Sequence, residues 1–274
     1  MTVVEQATDR ERGLLGSVQR ALRVLDVVSQ AEEGVSAKVI ARRAGLKLST
    51  TYHLINTLVN EGYLVRLEEK HGFGIGYKIP KLYQQLRVKL DVAPGIASAV
   101  ALVHDRAEAA AYYAGFRDTD IVLVHVVDSP SCPRIDMLDV GFAESAHATA
   151  FGKVMLSTLT PGARRTYLEK YGMQQLTPMT VTDRWELEAE LDLARVKGGV
   201  VVEVEELQLK AACLAAPVAD PTGKVVGVMA VSVPAAQFEE RRVRLERVVR
   251  QGAAHIQRLI ARADGEDLTF GSPP

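Results

Sequence analysis

Ser49, Tyr52, His53 and Asn56 recur at the spacing of one helical stripe, with Thr50 beside them. A helix over this stretch would carry hydroxyl, phenol, imidazole and amide groups along one edge. Such groups read the hydrogen-bonding pattern of base edges, and an amide can make a two-point contact with adenine. Arg42, Arg43 and Lys47, just upstream, are cations of the kind that meets phosphate. Elsewhere Cys213 with His147 is the one nucleophile–base pair worth naming. No Ser/His/Asp set, Cys/His metal spacing or phosphate-cradling glycine loop stands beside it. The chain is therefore expected not to be an enzyme, with no catalytic residue, no metal and no cofactor.

The flanking elements must hold that edge outward. Val18, Ala21, Leu22, Leu25 and Val28 recur at helical spacing after Ser17. Ser36 is positioned to cap a helix over Ala37 to Ala44, with Val39 and Ile40 inward. Gly45 permits a left-handed turn and Leu46 plugs the angle behind it. Ser49 then caps Thr50 to Glu61, whose buried stripe is Leu54, Ile55 and Leu58, and Gly62 ends the helix. Two strands follow, Tyr63 to Leu67 and Phe73 to Tyr77, around a charged turn ending at His71-Gly72. Helix, turn, helix and hairpin in that order make a winged helix-turn-helix, a small device for laying a helix in the major groove. Lys70, in the hairpin turn, joins the candidate DNA contacts.

Residues 10–90 hold 14 Lys/Arg against 7 Asp/Glu, a balance of +7; the whole chain sums to −1, so the remainder carries −8. Charge alone fits an ordinary solvated face as well; combined with the order of elements it favours double-stranded DNA. At 274 residues the chain is long enough for two cores. Its composition, 47% hydrophobic and 24% charged, is that of a globular protein. No apolar run reaches the roughly 18 residues of a membrane span, and Met1 to Gly16 is too polar for a signal peptide. Two cysteines make no disulfide framework, which fits a reducing cytoplasm.

Past the hairpin, Pro80 suits the first turn of a linker helix running to Val92, which could also pack against its twin in a second subunit. Pro94-Gly95 reads as the domain boundary. Ile96 to Ala107 reads as a helix, and Ala110 to Phe116, Asp120 to Val127 and Arg134 to Leu138 as strands. Helices are expected over Thr149 to Leu159, Pro161 to Lys170 and Asp183 to Lys197. Strands are expected over Gly199 to Glu205, Cys213 to Val218 and Val225 to Val233, the last two joined at Asp220-Pro221-Thr222-Gly223. A helix over Phe238 to Arg262 closes the chain. The expected class is α+β, an antiparallel sheet covered by helices. Domains are placed at 13–79, 80–93 (linker) and 94–263, with residues 1–12 and 264–274 expected to be disordered.

SVQRALRVLDVV, LSTTYHLINTLVNEGYLVR, SAHATAFGKVMLS and ACLAAPVADPTGKVVGVMAVSVP together resemble the IclR-type family of bacterial transcriptional regulators over nearly the whole length. The resemblance implies a GAF-like effector-binding domain behind the winged module. It also implies dimers, often tetramers, on palindromic operators, acting as repressors or activators. Its pocket positions fall here on Ala150, Phe151 and Gly152, at a helix start suited to a carboxylate, and on Glu203, Cys213 and Ser232. Ile135, Met137 and Leu138 would supply apolar lining for a small-molecule effector. Cys213 reads equally as an inert core thiol, and Glu203 equally as the solvated end of a strand. His147 is expected to cap or pack, Lys153 to face solvent or pair locally, and Trp185 and Tyr167 to cover the sheet.

The chain also departs from the family. His53 replaces a usual Arg, which removes a two-point guanine contact and gives Tyr52 and Asn56 more of the reading. Lys210 stands where glycine is common and would recharge the pocket mouth. Ala211, Ala212 and Ser232 leave walls small enough for an effector larger than pyruvate.

Overall fold

A computed structural model describes residues 14–31, 33–68, 72–90, 92–117, 119–196 and 198–262. The expected disordered ends and Lys70 lie outside the described residues. The chain divides between Leu86 and Arg87 into two compact units. The division falls inside a helix rather than at Pro94-Gly95.

In the first unit, α1 (Gly16–Ser29), α2 (Ala37–Ala44) and α3 (Leu48–Asn60) precede a hairpin of β1 (Leu64–Leu67) and β2 (Gly72–Ile75). Val24, Val27, Val28, Ile40, Ala44, Ile55, Leu58, Leu64 and Phe73 form its core. Two expectations for α1 are corrected. Val18 and Leu22 are about half exposed, and the buried stripe is Val24, Val27 and Val28. The buried residues of α1 all lie in its C-terminal half, and among the described residues Val18 and Leu22 in the earlier part of the periodic pattern stay exposed. A contact absent from the sequence reading joins Val35 to Phe73 by two backbone bonds of 3.0 and 2.9 Å, tying the hairpin to the chain before α2. Next comes α4 (Lys78–Lys89). It begins two residues before Pro80, which the first turn tolerates because its N–H groups lack acceptors in any case.

The second unit runs α5 (Pro94–Ala107), β3 (Ala110–Arg117), β4 (Asp120–Val127), a 3-10 turn (Ala146–Ala148), α6 (Ala150–Thr158), α7 (Pro161–Tyr171) and α8 (Arg184–Val196), followed by β5 (Val201–Val204), β6 (Ala211–Ala219), β7 (Val225–Pro234) and α9 (Ala235–Arg262). The five strands form one antiparallel sheet in the order β4-β3-β7-β6-β5. α5 and α9 cover one face; α6 lies across β5, β6 and β7 on the other, with α8 behind it. The expected strand over Arg134 to Leu138 does not form. Ile135 and Leu138 close a turn, with Leu138 N–H donating to Ile135 O at 2.8 Å, because β4 already takes its second edge from Gly141 and Phe142. Trp185 is 83% exposed and does not cover the sheet; Leu187, Leu191 and Ala194 are the residues this helix buries. Tyr167 is buried, as expected. Among the described residues no helix is long and apolar enough to cross a membrane.

A candidate DNA-reading edge and a candidate effector site

The turn between α2 and α3 is set by its backbone. Gly45 ends α2 at φ +66°, Leu46 N–H donates to Ala41 O at 2.9 Å, and Gly45 N–H reaches Arg42 O at 3.4 Å. This pair of bonds closes a helix through a left-handed residue, and Leu46 then packs half-buried on the core. Lys47, not Ser49, is the N-cap of α3, and it makes no side-chain cap. Ser49 is therefore a second-position residue on the exposed face, where its hydroxyl faces outward. Thr51 is the fully buried polar residue of this helix, and its hydroxyl donates to Lys47 O at 3.0 Å.

Ser49, Tyr52, His53 and Asn56 occupy one exposed stripe, opposite buried Thr51, Ile55 and Leu58, and Thr50 is half-buried between the two. Arg42 and Arg43, in the last turn of α2, and Lys47 are exposed beside that stripe. On the hairpin, Arg66 lies over the Phe73 ring at 5.6 Å. Hydrogen-bonding side chains thus project from a helix edge flanked by cations, as base reading and phosphate contact require.

In the second unit, register assembles what the sequence scatters. Glu203 faces Cys213 across β5 and β6, Cys213 faces Ser232 across β6 and β7, and Ser232 faces Ala110 across β7 and β3. Opposite residues share a face, so this polar row runs beneath α6. Tyr112, two residues along from Ala110, sends its hydroxyl to Ser232 Oγ at 2.7 Å and accepts Ile135 N–H at 3.2 Å. The sequence reading missed Tyr112; the one signal for it was a phenol in a strand at the same parity as Ala110. Ile135, Leu138, Ala150 and Phe151 are buried in the same cluster as Cys213. Met137 does not join them: it is 47% exposed, at the centre of the Ile135–Leu138 turn, where side chains point outward. Ala212 faces the opposite side of β6 from Cys213 and lies outside that cluster.

Gly152 is fixed by packing, since a Cβ would collide with Ala146 O and Thr149 Oγ1. Its N–H donates to Thr149 Oγ1 at 3.1 Å, and the N–H groups of Ala150 and Phe151 remain at the start of α6. Glu203 is 1% exposed, not the solvated end of a strand; Oε2 accepts Glu206 N–H at 3.0 Å, and Oε1 has no partner among the described residues. Burial raises its carboxyl to about 7, against the Cys213 thiol and the Glu206 N–H, which pull it down. Burial likewise pushes the Cys213 thiol well up, and the Glu203 charge adds to this. A neutral thiol in such a setting is no nucleophile. The His147 ring is held on Gln174 O at 3.0 Å and lowered in pKa chiefly by burial, so it packs rather than pairs with Cys213. Lys153 is wholly buried, with Nζ 2.5 Å from Glu206 and 2.6 Å from Glu190. A cleft of about 210 Å³ opens at the Ser232 end of the row, lined also by Ile135, Ala211, Arg134, Lys210 and Arg241.

Residues 17–68 match the IclR helix-turn-helix domain, and residues 87–258 match the family described as bacterial transcriptional regulator IclR C-terminal. The chain belongs to the IclR family. As an IclR-family protein it is a DNA-binding transcriptional regulator, not an enzyme, and its C-terminal domain is effector-binding. It is similar to the glycerol operon regulatory protein of Streptomyces griseus, 31% identical over 221 residues, 80% of this chain and 84% of that one. The IclR structure of Thermotoga maritima shares the fold at TM-score 0.64 and 22% identity, covering 89% of this chain and 98% of that one. An IclR homologue from Microbacterium hydrocarbonoxydans, solved with 4-hydroxybenzoate, does so at TM-score 0.65 and 22% identity, covering 91% and 100%.

Proposed function

We propose that this IclR-family regulator binds palindromic operator DNA as a dimer or tetramer in the cytoplasm, under the control of a small carboxylate-containing metabolite. Arg42, Arg43 and Lys47 hold phosphate, with Lys70 a further candidate, while Tyr52, His53 and Asn56 read base edges with Ser49 and Thr50 beside them. Supporting self-association, Leu15, Val18 and Leu22 form an exposed apolar stripe on one side of the first unit. A twofold pair of reading helices then meets half-sites about one helical turn apart, or a multiple of it.

The observation that carries the effector reading is the unpartnered, buried Oε1 of Glu203 in the row with Cys213 and Ser232. A buried carboxyl oxygen without a protein partner is costly, and a ligand hydroxyl or amine would satisfy it. The cations that line the cleft at the Ser232 end of the row, Arg134, Lys210 and Arg241, favour an acid. Effector and operator would be coupled by about 1–3 kcal/mol, and each would change the other's affinity by the same factor. Selecting duplexes from a random pool and titrating the best one in the presence of candidate acids tests this. A palindromic winner whose affinity shifts with one acid supports the reading. Effector binding equally to free and DNA-bound protein, with unchanged assembly, removes it.

A further inference from the structure

Lys210 stands at the mouth of the cleft in a backbone conformation that disfavours it. Its φ is +66°, a left-handed value that glycine adopts freely and a side-chain-bearing residue only at a cost. The position is held at both ends: Lys210 N–H donates to Glu205 Oε1 at 2.7 Å, and Lys210 O accepts Ala235 N–H at 2.9 Å. With its Cα fixed at the rim, only the side chain is free to move. A lysine kept in a glycine conformation at the entrance to a cleft calls for a use of its ammonium group.

The other charges of the cleft are already engaged. Arg134 pairs with Asp139 at 2.9 Å and Asp128 at 3.5 Å. Arg241 donates to Ala107 O, Glu108 O and Gln237 Oε1, and Glu108 pairs with Arg244 at 2.7 Å. Among the described residues of the cleft, Lys210 is the charged group whose side chain has no protein partner. The inner wall beneath it is Ser232, whose hydroxyl meets Tyr112 Oη, and apolar Ile135.

We infer that Lys210 selects the charge of the effector, its ammonium pairing at the cleft mouth with an acidic group on a small molecule whose other end reaches Ser232. The inference rests on the effector reading above and names the residue that makes the site choose acids. It places the acid at the rim rather than at the start of α6. The ligand class is a short carboxylic acid with a hydroxyl or other hydrogen-bonding group at its far end, short because the cleft holds about 210 Å³.

The test compares full-length wild type with Lys210→Gly and Lys210→Arg. The probes are 4-hydroxybenzoate and short aliphatic hydroxy acids, each beside its neutral amide, and binding is read by calorimetry and by the shift in melting temperature. The expected result is an acid that binds wild type at least about tenfold more weakly in Lys210→Gly and within about twofold in Lys210→Arg, with amide affinity unchanged in both. Unliganded Lys210→Gly should melt higher than wild type, because glycine relieves the left-handed backbone; this separates lost pairing from lost folding. Equal acid affinity in wild type and Lys210→Gly overturns the role of Lys210 while leaving the effector reading standing. Parallel loss of acid and amide also overturns it, as a merely structural effect. If no acid in the panel binds wild type, the carboxylate reading falls, and this inference with it.

Discussion

Glu203 and Cys213 face each other across β5 and β6, both buried, an acid held near neutrality beside a thiol that does not ionise. Burial is the first cause for both. The pair gives the effector domain a titratable group inside the sheet face that α6 covers.

Glu203 makes stability depend on pH. The unfolded chain releases this proton near the ordinary 4.5 and the folded chain near about 7, so the folded form holds more protons between those values. Unliganded stability should therefore fall as pH rises through that window and level off above it, by about 3 kcal/mol at most from this group. Glu206 is raised as well, by burial first, and Lys153, Glu190 and Cys213 share its surroundings, so the comparison must be differential. Urea unfolding of wild type and Glu203→Gln between pH 4.5 and 8 should give a shallower slope for the variant. Parallel slopes would remove Glu203 as their source.

Lys153 neutralises two carboxylates from within the core, joining α6 to α8 and to the segment after β5. Replacing it by Ala leaves Glu206 buried without its partner and should cost about 3–5 kcal/mol, read as a lower urea midpoint. Lys153→Met paired with Glu206→Gln should recover part of that loss, because the stranded charge goes with the lysine.

Gly152 has no room for a methyl group against Ala146 O and Thr149 Oγ1. Gly152→Ala should destabilise the C-terminal domain by about 1–3 kcal/mol. Thr149→Ala, which removes the cap on Gly152 N–H, should cost about 1 kcal/mol. A thermal scan reads both, and a neutral Gly152→Ala would contradict the packing.

On DNA, the two sets of residues should fail differently. Removing Arg42, Arg43 or Lys47 singly to Ala should weaken binding to every duplex and flatten the log–log salt slope by about one unit per lost phosphate contact. Asn56→Ala or a change at His53 should instead alter which operator wins, by about 1–3 kcal/mol at the affected base pair. Anisotropy titrations over a salt series on several duplexes distinguish the two. A uniform loss for Asn56→Ala would take it off the base edges.

Helix periodicity and one turn residue already specified the reading edge, because neighbours on a helix face are three or four residues apart in the chain. Ser49, Tyr52, His53 and Asn56 share a face by geometry alone, and Gly45 reads as left-handed because only glycine adopts that conformation without cost. Even there the starting residue of α3 was misread, since hydroxyl side chains suggest caps that the backbone need not use. Exposure was less legible: Val18, Leu22 and Trp185 fit their periodic patterns, and only the placement of neighbouring elements left them uncovered.

The amino-acid order by itself settled the family, the order of elements and the outward stripe of α3, all of which depend on interactions within a few residues. The resemblance grouped Glu203, Cys213 and Ser232, but tertiary structure alone decided that strand register sets them in one row, that Tyr112 joins it, and that Lys153 lies wholly buried between two carboxylates. Those relationships depend on strand register and on contacts between residues tens of positions apart, and no local periodicity encodes which distant partners will meet.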